Sequence, residues 1–223
     1  MSYRMPKHKL KPNLELEKAR MKRVITQLKK NYPNATCSLY FHSPFQLLVA
    51  TVLSAQCTDE KVNQVTPVLF KKFPTPEKMA KADHEIVEKI VYSTGFYRNK
   101  AKSLISLSQN LLKKFNGEVP REIGKLTSLS GVGRKTANVV LGNAFQLQEG
   151  IVVDTHVGRI TRRLGFTKNK DPLKVEKDLV AVVPQKEWTL FSHLLINHGR
   201  KECPSRRPKC DICCIKKDCP KVI

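Results

Sequence analysis

The sequence predicts an all-α protein, and three observations carry that prediction. Apolar residues recur at the three- and four-residue spacing of a helix face in one segment after another. No alternating apolar and polar run of useful length occurs anywhere, which leaves no pattern for a half-buried strand. Helix starts and stops of recognisable chemistry separate the segments. At 223 residues with 40% hydrophobic content, the chain can build one large or two small domains with real cores.

In chain order, the first helix is predicted over residues 14–28. There Leu14, Leu16, Met21, Val24, Ile25 and Leu28 recur among charges, before the break at Asn31-Tyr32-Pro33-Asn34. Ser43-Pro44 has the order of an N-cap followed by proline at the first helical position, so an apolar core helix follows over 45–54. Gln56 then falls on a loop, either solvated or free to reach a partner. Thr58 with Asp59 and Glu60 starts the next helix, toward residue 73. Thr75-Pro76 and Asp83 open two short helices that lead to Ser93-Thr94-Gly95-Phe96-Tyr97. Aromatics after a glycine in a basic setting either plug the core or wedge and stack against bases. A long amphipathic helix over 98–115, apolar at Leu104, Ile105, Leu107, Leu111 and Leu112, stops at Asn116-Gly117.

The segment 126–141, LTSLSGVGRKTANVVL, is predicted as two short helices meeting across Gly131-Val132-Gly133. The glycines put no side chain between the backbone and whatever approaches it. Bare N–H groups and the dipole make the first turn of the second helix an anion site. Arg134, Lys135 and Thr136 occupy that turn. A cation there is disfavoured, which favours the neutral, nucleophilic amine of Lys135. An ordinary helical hairpin with a solvated lysine has the same outline.

After a polar connector at 146–150, Ile151-Val152-Val153-Asp154-Thr155-His156 leads into a further helix. Asp154 is placed as its N-cap, and His156 is a surface, capping or functional histidine. Two more helices are predicted over 172–182 and 187–197.

The balance of 41 Lys and Arg against 19 Asp and Glu, a formal charge of +22 spread along the chain, calls for a polyanionic partner. Nucleic acid is the favoured one. No apolar run approaches the roughly 20 residues that span a bilayer, and the N-terminal MSYRMPKHKLKP lacks the apolar core of a secretory signal. The expected protein is intracellular and soluble.

Seven cysteines in such a protein point away from disulfides. Cys203, Cys210, Cys213 and Cys219 stand at C-x6-C-x2-C-x5-C, close enough to converge on one metal centre. Tetrahedral zinc and a [4Fe-4S] cluster both accept four cysteines. Cys214 is a spare beside a ligand, and Cys37 and Cys57 lie far off. Arg206, Arg207 and Lys209, between the first two ligands, would be held against a phosphate backbone.

Taken together, LSAQCTD, STGFYRNKA, LSGVGRKTANVVL, VDTHVGRITRRLGF, HGRKEC and the terminal cysteine spacing closely resemble the endonuclease III family of DNA glycosylases. That family belongs to the helix-hairpin-helix base-excision superfamily, and the likeness covers nearly the whole chain after the N-terminal tail. It implies a six-helix barrel domain with a helix-hairpin-helix motif at 37–147. A second helical domain at 1–36 and 148–223 would carry a [4Fe-4S] cluster on the four cysteines. The resemblance makes Lys135 the catalytic lysine and Asp154 the catalytic aspartate. Gln56 and Phe96 match positions that enter the duplex when a damaged nucleotide is extruded. Gly131, Gly133, Arg134, Thr136, His156, Arg206, Arg207 and Lys209 complete the expected DNA-contacting set.

The implied protein is a cytoplasmic, nucleoid-associated monomer that acts on double-stranded DNA with a damaged base or abasic site. It would be a bifunctional glycosylase and abasic-site lyase for oxidised pyrimidines. The alternatives are a monofunctional glycosylase for mismatched thymine or adenine, and a non-catalytic, redox-sensing DNA-binding module. Two departures from the family pattern stand out. Ser130 replaces the usual proline before Gly-Val-Gly, and Cys57 replaces a small alanine or threonine beside Gln56.

Overall fold

The computed structural model describes residues 12–221; residues 1–11, which hold nearly all of the stretch read for a secretory signal, lie outside them. Among the described residues there is no β-strand. The chain forms two compact units, one of Cys37–Glu149 and one of Met1–Thr36 with Gly150–Ile223.

In the first unit, α2 (Pro44–Leu53) is the central core helix. The Ser43 hydroxyl accepts from the Gln46 N–H, Pro44 occupies the first turn, and Phe45 and Leu47 through Leu53 are buried. A helix apolar on all sides belongs inside, and α2 packs against α8 (Arg134–Phe145), α6 (Tyr97–Phe115) and α3 (Asp59–Lys72). Thr58 caps α3 by accepting from the Lys61 N–H. The short α4 (Pro76–Ala80) and α5 (His84–Val91) lie on α6, and α7 (Ile123–Thr127) lies on α8. Of the predicted stripe of α6, Leu104, Leu107 and Leu111 are fully buried in the resulting core, while Ile105 and Leu112 are half-buried. Helix α6 ends on Asn116, a left-handed residue at φ 53.

In the second unit, α1 (Pro12–Asn31) and α9 (Thr155–Arg163) both pack on α11 (Trp188–Lys201). Met21, Val24, Leu28, Phe191, Leu194 and Leu195 form the centre of its core. Helix α10 (Pro172–Val180) is capped by Asp171, whose carboxylate accepts from the Lys174 N–H.

Three differences from the predicted elements have physical causes. Leu16 counts toward the apolar stripe of α1 by its residue type, yet it is 70% exposed because it falls off the buried face. Helix α10 stops two residues early, and the turn beyond it buries Val182 and Val183. Helix α11 runs four residues past the predicted end at 197. The extra turn is held by tertiary contacts of His198 that local spacing does not reveal. None of the described helices is long and apolar enough to cross a membrane.

Candidate active site and metal centre

Lys135 is the second residue of α8 and is exposed. The turn before it is built by Val132 N–H donating to Leu129 O at 3.2 Å, and Ser130 is half-buried within it. The two glycines of this turn serve different needs. Gly131 has φ +77, and a Cβ there would meet Ser103 Cβ at 3.1 Å. A side chain at Gly131 is therefore both strained and crowded. Gly133, the N-cap of α8, has an extended backbone at φ −90, and a Cβ there would meet nothing within 4 Å. Nothing in the fold demands glycine at 133, where serine or aspartate would cap better. What glycine offers there is open access to the bare helix start. Arg134 is exposed and Thr136 half-buried in the same turn.

Gln56 and Phe96 share an uncommon backbone. Both are non-glycine residues in the left-handed region, at φ 53 and φ 47, and both side chains are exposed, Phe96 by 62%. The exposed Phe96 ring adds nothing to the core, and its left-handed backbone leaves it free to meet solvent or a partner. Tyr97 takes the other role left open by the sequence. It is half-buried on the core, 4.7 Å from the Tyr92 ring, with the Arg98 guanidinium 5.6 Å from its own ring. Cys57, beside Gln56, is half-buried and packs against the core.

In the other unit Asp154 is the N-cap of α9, its Oδ1 accepting from the Val157 N–H at 2.8 Å. That cap orients the half-buried carboxylate at the helix start. His156, one turn position later, lies 3.1 Å from Arg159 Nη2 through its Nδ1. Burial lowers the His156 pKa, with Arg159 and Arg200 acting in the same sense and Asp154 opposing them. Gly199 makes room for this pair, because a Cβ there would fall 2.5 Å from His156 Nδ1 and 3.0 Å from Arg159 Nη2. Arg159 Nη2 also donates to Cys203 O at 2.9 Å, so the residues around Asp154 are tied to the start of the cysteine segment.

The four spaced cysteines line one cavity of about 40 Å³, together with Ile160, Leu164, Ile215, Arg163 and His198. Polar groups touch three of the sulfurs. Arg163 Nη1 lies 3.2 Å from Cys203 Sγ, His198 Nε2 lies 3.7 Å from Cys213 Sγ, and Cys219 Sγ lies 3.7 Å from Arg163 O. Of these, the Arg163 N–H donates to Cys203 Sγ and would stabilise a thiolate there. Burial pushes the Cys213 thiol up to about 11 and the Cys214 thiol up to about 12, which disfavours both thiolates without a metal beside them. His198 is fully buried and bonds Tyr32 Oη at 3.1 Å, and the Tyr32 hydroxyl donates to Glu202 Oε1 at 2.8 Å. Burial, then that bond, holds the Tyr32 phenol well above its ordinary value.

Among the described residues, the metal-binding type of group with ligand atoms within 4.8 Å of one another is His198, Glu202 and Cys214. Arg206, Arg207 and Lys209 are exposed on the loop between the first two cysteines. Arg163 anchors that loop through Pro204 O at 2.7 Å and Ser205 O at 2.8 Å.

Sequence reasoning missed Arg163, His198, Glu202 and Tyr32. The RITRR and HGRKEC segments contain three of them, but nothing in their spacing says that they face the sulfurs.

Comparison with known proteins agrees with this architecture. Residues 49–185 match the model of the HhH-GPD superfamily base excision DNA repair proteins. The endonuclease III of Synechocystis sp. is 48% identical over 204 residues, covering 92% of this chain and 93% of the relative. A solved non-covalent endonuclease III–DNA complex is 43% identical and superposes with a TM-score of 0.86, covering 92% of this chain and 96% of the other. A trapped endonuclease III–DNA covalent intermediate is equally similar, with a TM-score of 0.86 at 43% identity over the same shares. On the match of fold, helical hairpin and sequence over most of both chains, the protein belongs to the endonuclease III family of the HhH-GPD base excision repair superfamily.

Proposed function

We propose that this protein is a bifunctional DNA glycosylase and abasic-site lyase that removes oxidised pyrimidines from double-stranded DNA, acting as a monomer on nucleoid DNA. The observation that carries the reading is Lys135, an exposed lysine in the first turn of a helix entered through two glycines. It sits on a fold shared with an endonuclease III trapped covalently on DNA.

The backbone N–H groups of the α8 start receive a DNA phosphate, with Gly133 leaving the approach clear. Gln56 and Phe96 enter the duplex as the damaged nucleotide leaves the stack, a step that costs least where pairing is already weakened. The Lys135 amine attacks C1′ of the deoxyribose and the base departs with the electrons of its glycosidic bond. Asp154 stabilises the positive charge that develops on the sugar. Opening of the ring gives a protonated imine between Lys135 and C1′. Loss of a C2′ proton then expels the 3′ phosphate, breaking the strand, and water releases the lysine. His156, Arg206, Arg207 and Lys209 contribute contacts to the DNA on the other unit.

The convergence of the four cysteines on one cavity supports a shared metal centre, and the likeness to the endonuclease III family favours an iron-sulfur cluster over zinc. Cys203, Cys210, Cys213 and Cys219 would hold a [4Fe-4S] cluster, which supplies a covalent tie across residues 203–219 and so holds the basic loop in place.

Borohydride reduction in the presence of abasic-site DNA tests the mechanism. A covalent adduct is expected with the native chain and none with Lys135→Gln. Base release without any adduct would replace the proposal by a monofunctional glycosylase, and no incision of any lesion would replace it by a binding module.

A further inference from the structure

Lys100 is a lysine where lysines are rarely found. It is 5% exposed, in α6, in a chain with ample surface for its cations. Its place relative to the loop before α6 gives a reason. Gly95 has φ 71 and Phe96 has φ 47, so two successive residues occupy the left-handed side of backbone space. Phe96 is the N-cap position of α6 and has no side-chain cap bond to hold it. L-residues avoid this conformation unless their surroundings impose it.

Lys100 supplies those surroundings from both ends of the strained pair. Its main-chain N–H donates to Phe96 O at 3.0 Å, and its Nζ donates to Thr94 O at 2.7 Å. Thr94 is itself 2% exposed, with its hydroxyl donating to Val91 O at 2.8 Å. One residue therefore grips the carbonyls on either side of Gly95 and fixes the turn that projects Phe96. Burial lowers the Lys100 pKa, and the Cys57 thiol lies near enough to act against that lowering. Cys57 adjoins Gln56, another left-handed residue with an exposed side chain.

We propose that Lys100 is a positioning residue for duplex opening, holding Phe96 in the projecting conformation that occupies the space left by the extruded nucleotide. The inference rests on the proposed entry of Phe96 into DNA. It goes beyond that entry by naming what pays the conformational cost in advance, so that binding does not have to order the loop.

The test uses the full chain with its metal centre. Lys100→Met keeps the length and apolar stem of the side chain and removes the charge and the hydrogen bond. Single-turnover incision is measured on a fully paired duplex containing an abasic site and on the same abasic site in a single strand. Lys100→Met is expected to slow paired-duplex incision about tenfold or more and single-strand incision by no more than about twofold. The increase in fluorescence of 2-aminopurine beside the lesion, read at equal DNA occupancy, is expected to fall with it. In a Phe96→Ala background, Lys100→Met is expected to add no further loss, because both act through one side chain.

An equal loss on paired and single-stranded DNA, the mark of general structural damage, overturns the proposal. So does an additive loss in the double variant. Phe96→Ala alone distinguishes the two layers. If it incises paired duplex at the native rate, the entry of Phe96 itself is wrong. If it is slow while Lys100→Met is not, only the role of Lys100 falls.

Discussion

Gly131→Ala and Gly133→Ala differ by two positions and are expected to fail in opposite ways. At Gly131 the backbone has φ +77, and the new Cβ meets Ser103 Cβ at 3.1 Å. The left-handed conformation costs an alanine about 1–2 kcal/mol, and relieving the contact adds about 1 kcal/mol in a packed setting. The sum, about 2–3 kcal/mol, corresponds to a fall in Tm on the order of 4–12 °C for a chain of this size. At Gly133 the backbone is extended and the Cβ meets nothing within 4 Å. Alanine there costs the fold little, and restricting the unfolded chain offsets it by about 0.4–1 kcal/mol. A methyl group in front of the α8 start does, however, push a phosphate off the backbone N–H groups. Losing one such charge-assisted bond costs about 1.5–3 kcal/mol, or roughly 10- to 100-fold in Kd. Thermal unfolding and fluorescence anisotropy with an abasic-analogue duplex at fixed salt separate the two. If Gly133→Ala binds DNA as tightly as the native chain, the argument that this glycine keeps the helix start open to a ligand is wrong. If Gly131→Ala melts unchanged, the local strain argument is wrong.

The remaining predictions concern the other unit and the charge. Arg163→Met removes the contacts to Cys203 Sγ, Pro204 O and Ser205 O, and it should speed iron loss to a chelator by about 10-fold or more; unchanged loss, followed by absorbance, refutes the anchoring role. His156 is held below its ordinary value of 6.5 by burial, so below that pH the unfolded chain binds the proton that the folded chain refuses. The His156 contribution to stability is therefore complete above about 6.5 and is lost as pH falls below it. Urea midpoints measured from pH 8 to pH 5 should decline less steeply in His156→Gln, and parallel curves would contradict this. With a formal charge of +22, DNA affinity should fall with salt at a slope of about −0.9 per phosphate contacted, and a flat response excludes backbone contact.

Local chemistry was legible in the residues themselves. Ser43, Thr58, Thr75, Asp83 and Asp154 all cap the helices that follow them, because a cap is an interaction between neighbours two or three residues apart. The glycine turn before Lys135 and the convergence of four closely spaced cysteines are local in the same sense. Where one residue type served two roles, spacing was not enough. Phe96 and Tyr97 are adjacent aromatics, and only the packing around α6 put one in solvent and the other on the core.

The sequence by itself determined the helical class, the helix starts, the hairpin with its lysine and the cysteine set, since each is written within a few residues of chain. The tertiary structure alone decided which polar groups surround the sulfurs, why α11 continues past residue 197, and that Lys100 turns inward. The Tyr32–His198 bond joins residues 166 positions apart and the Arg163–Cys203 contact joins residues 40 apart. Lys100 lies only six residues from Thr94, yet its inward turn depends on the surrounding core that buries it. Such contacts follow from how faces pack after the helices have formed, and no local period in the chain records them.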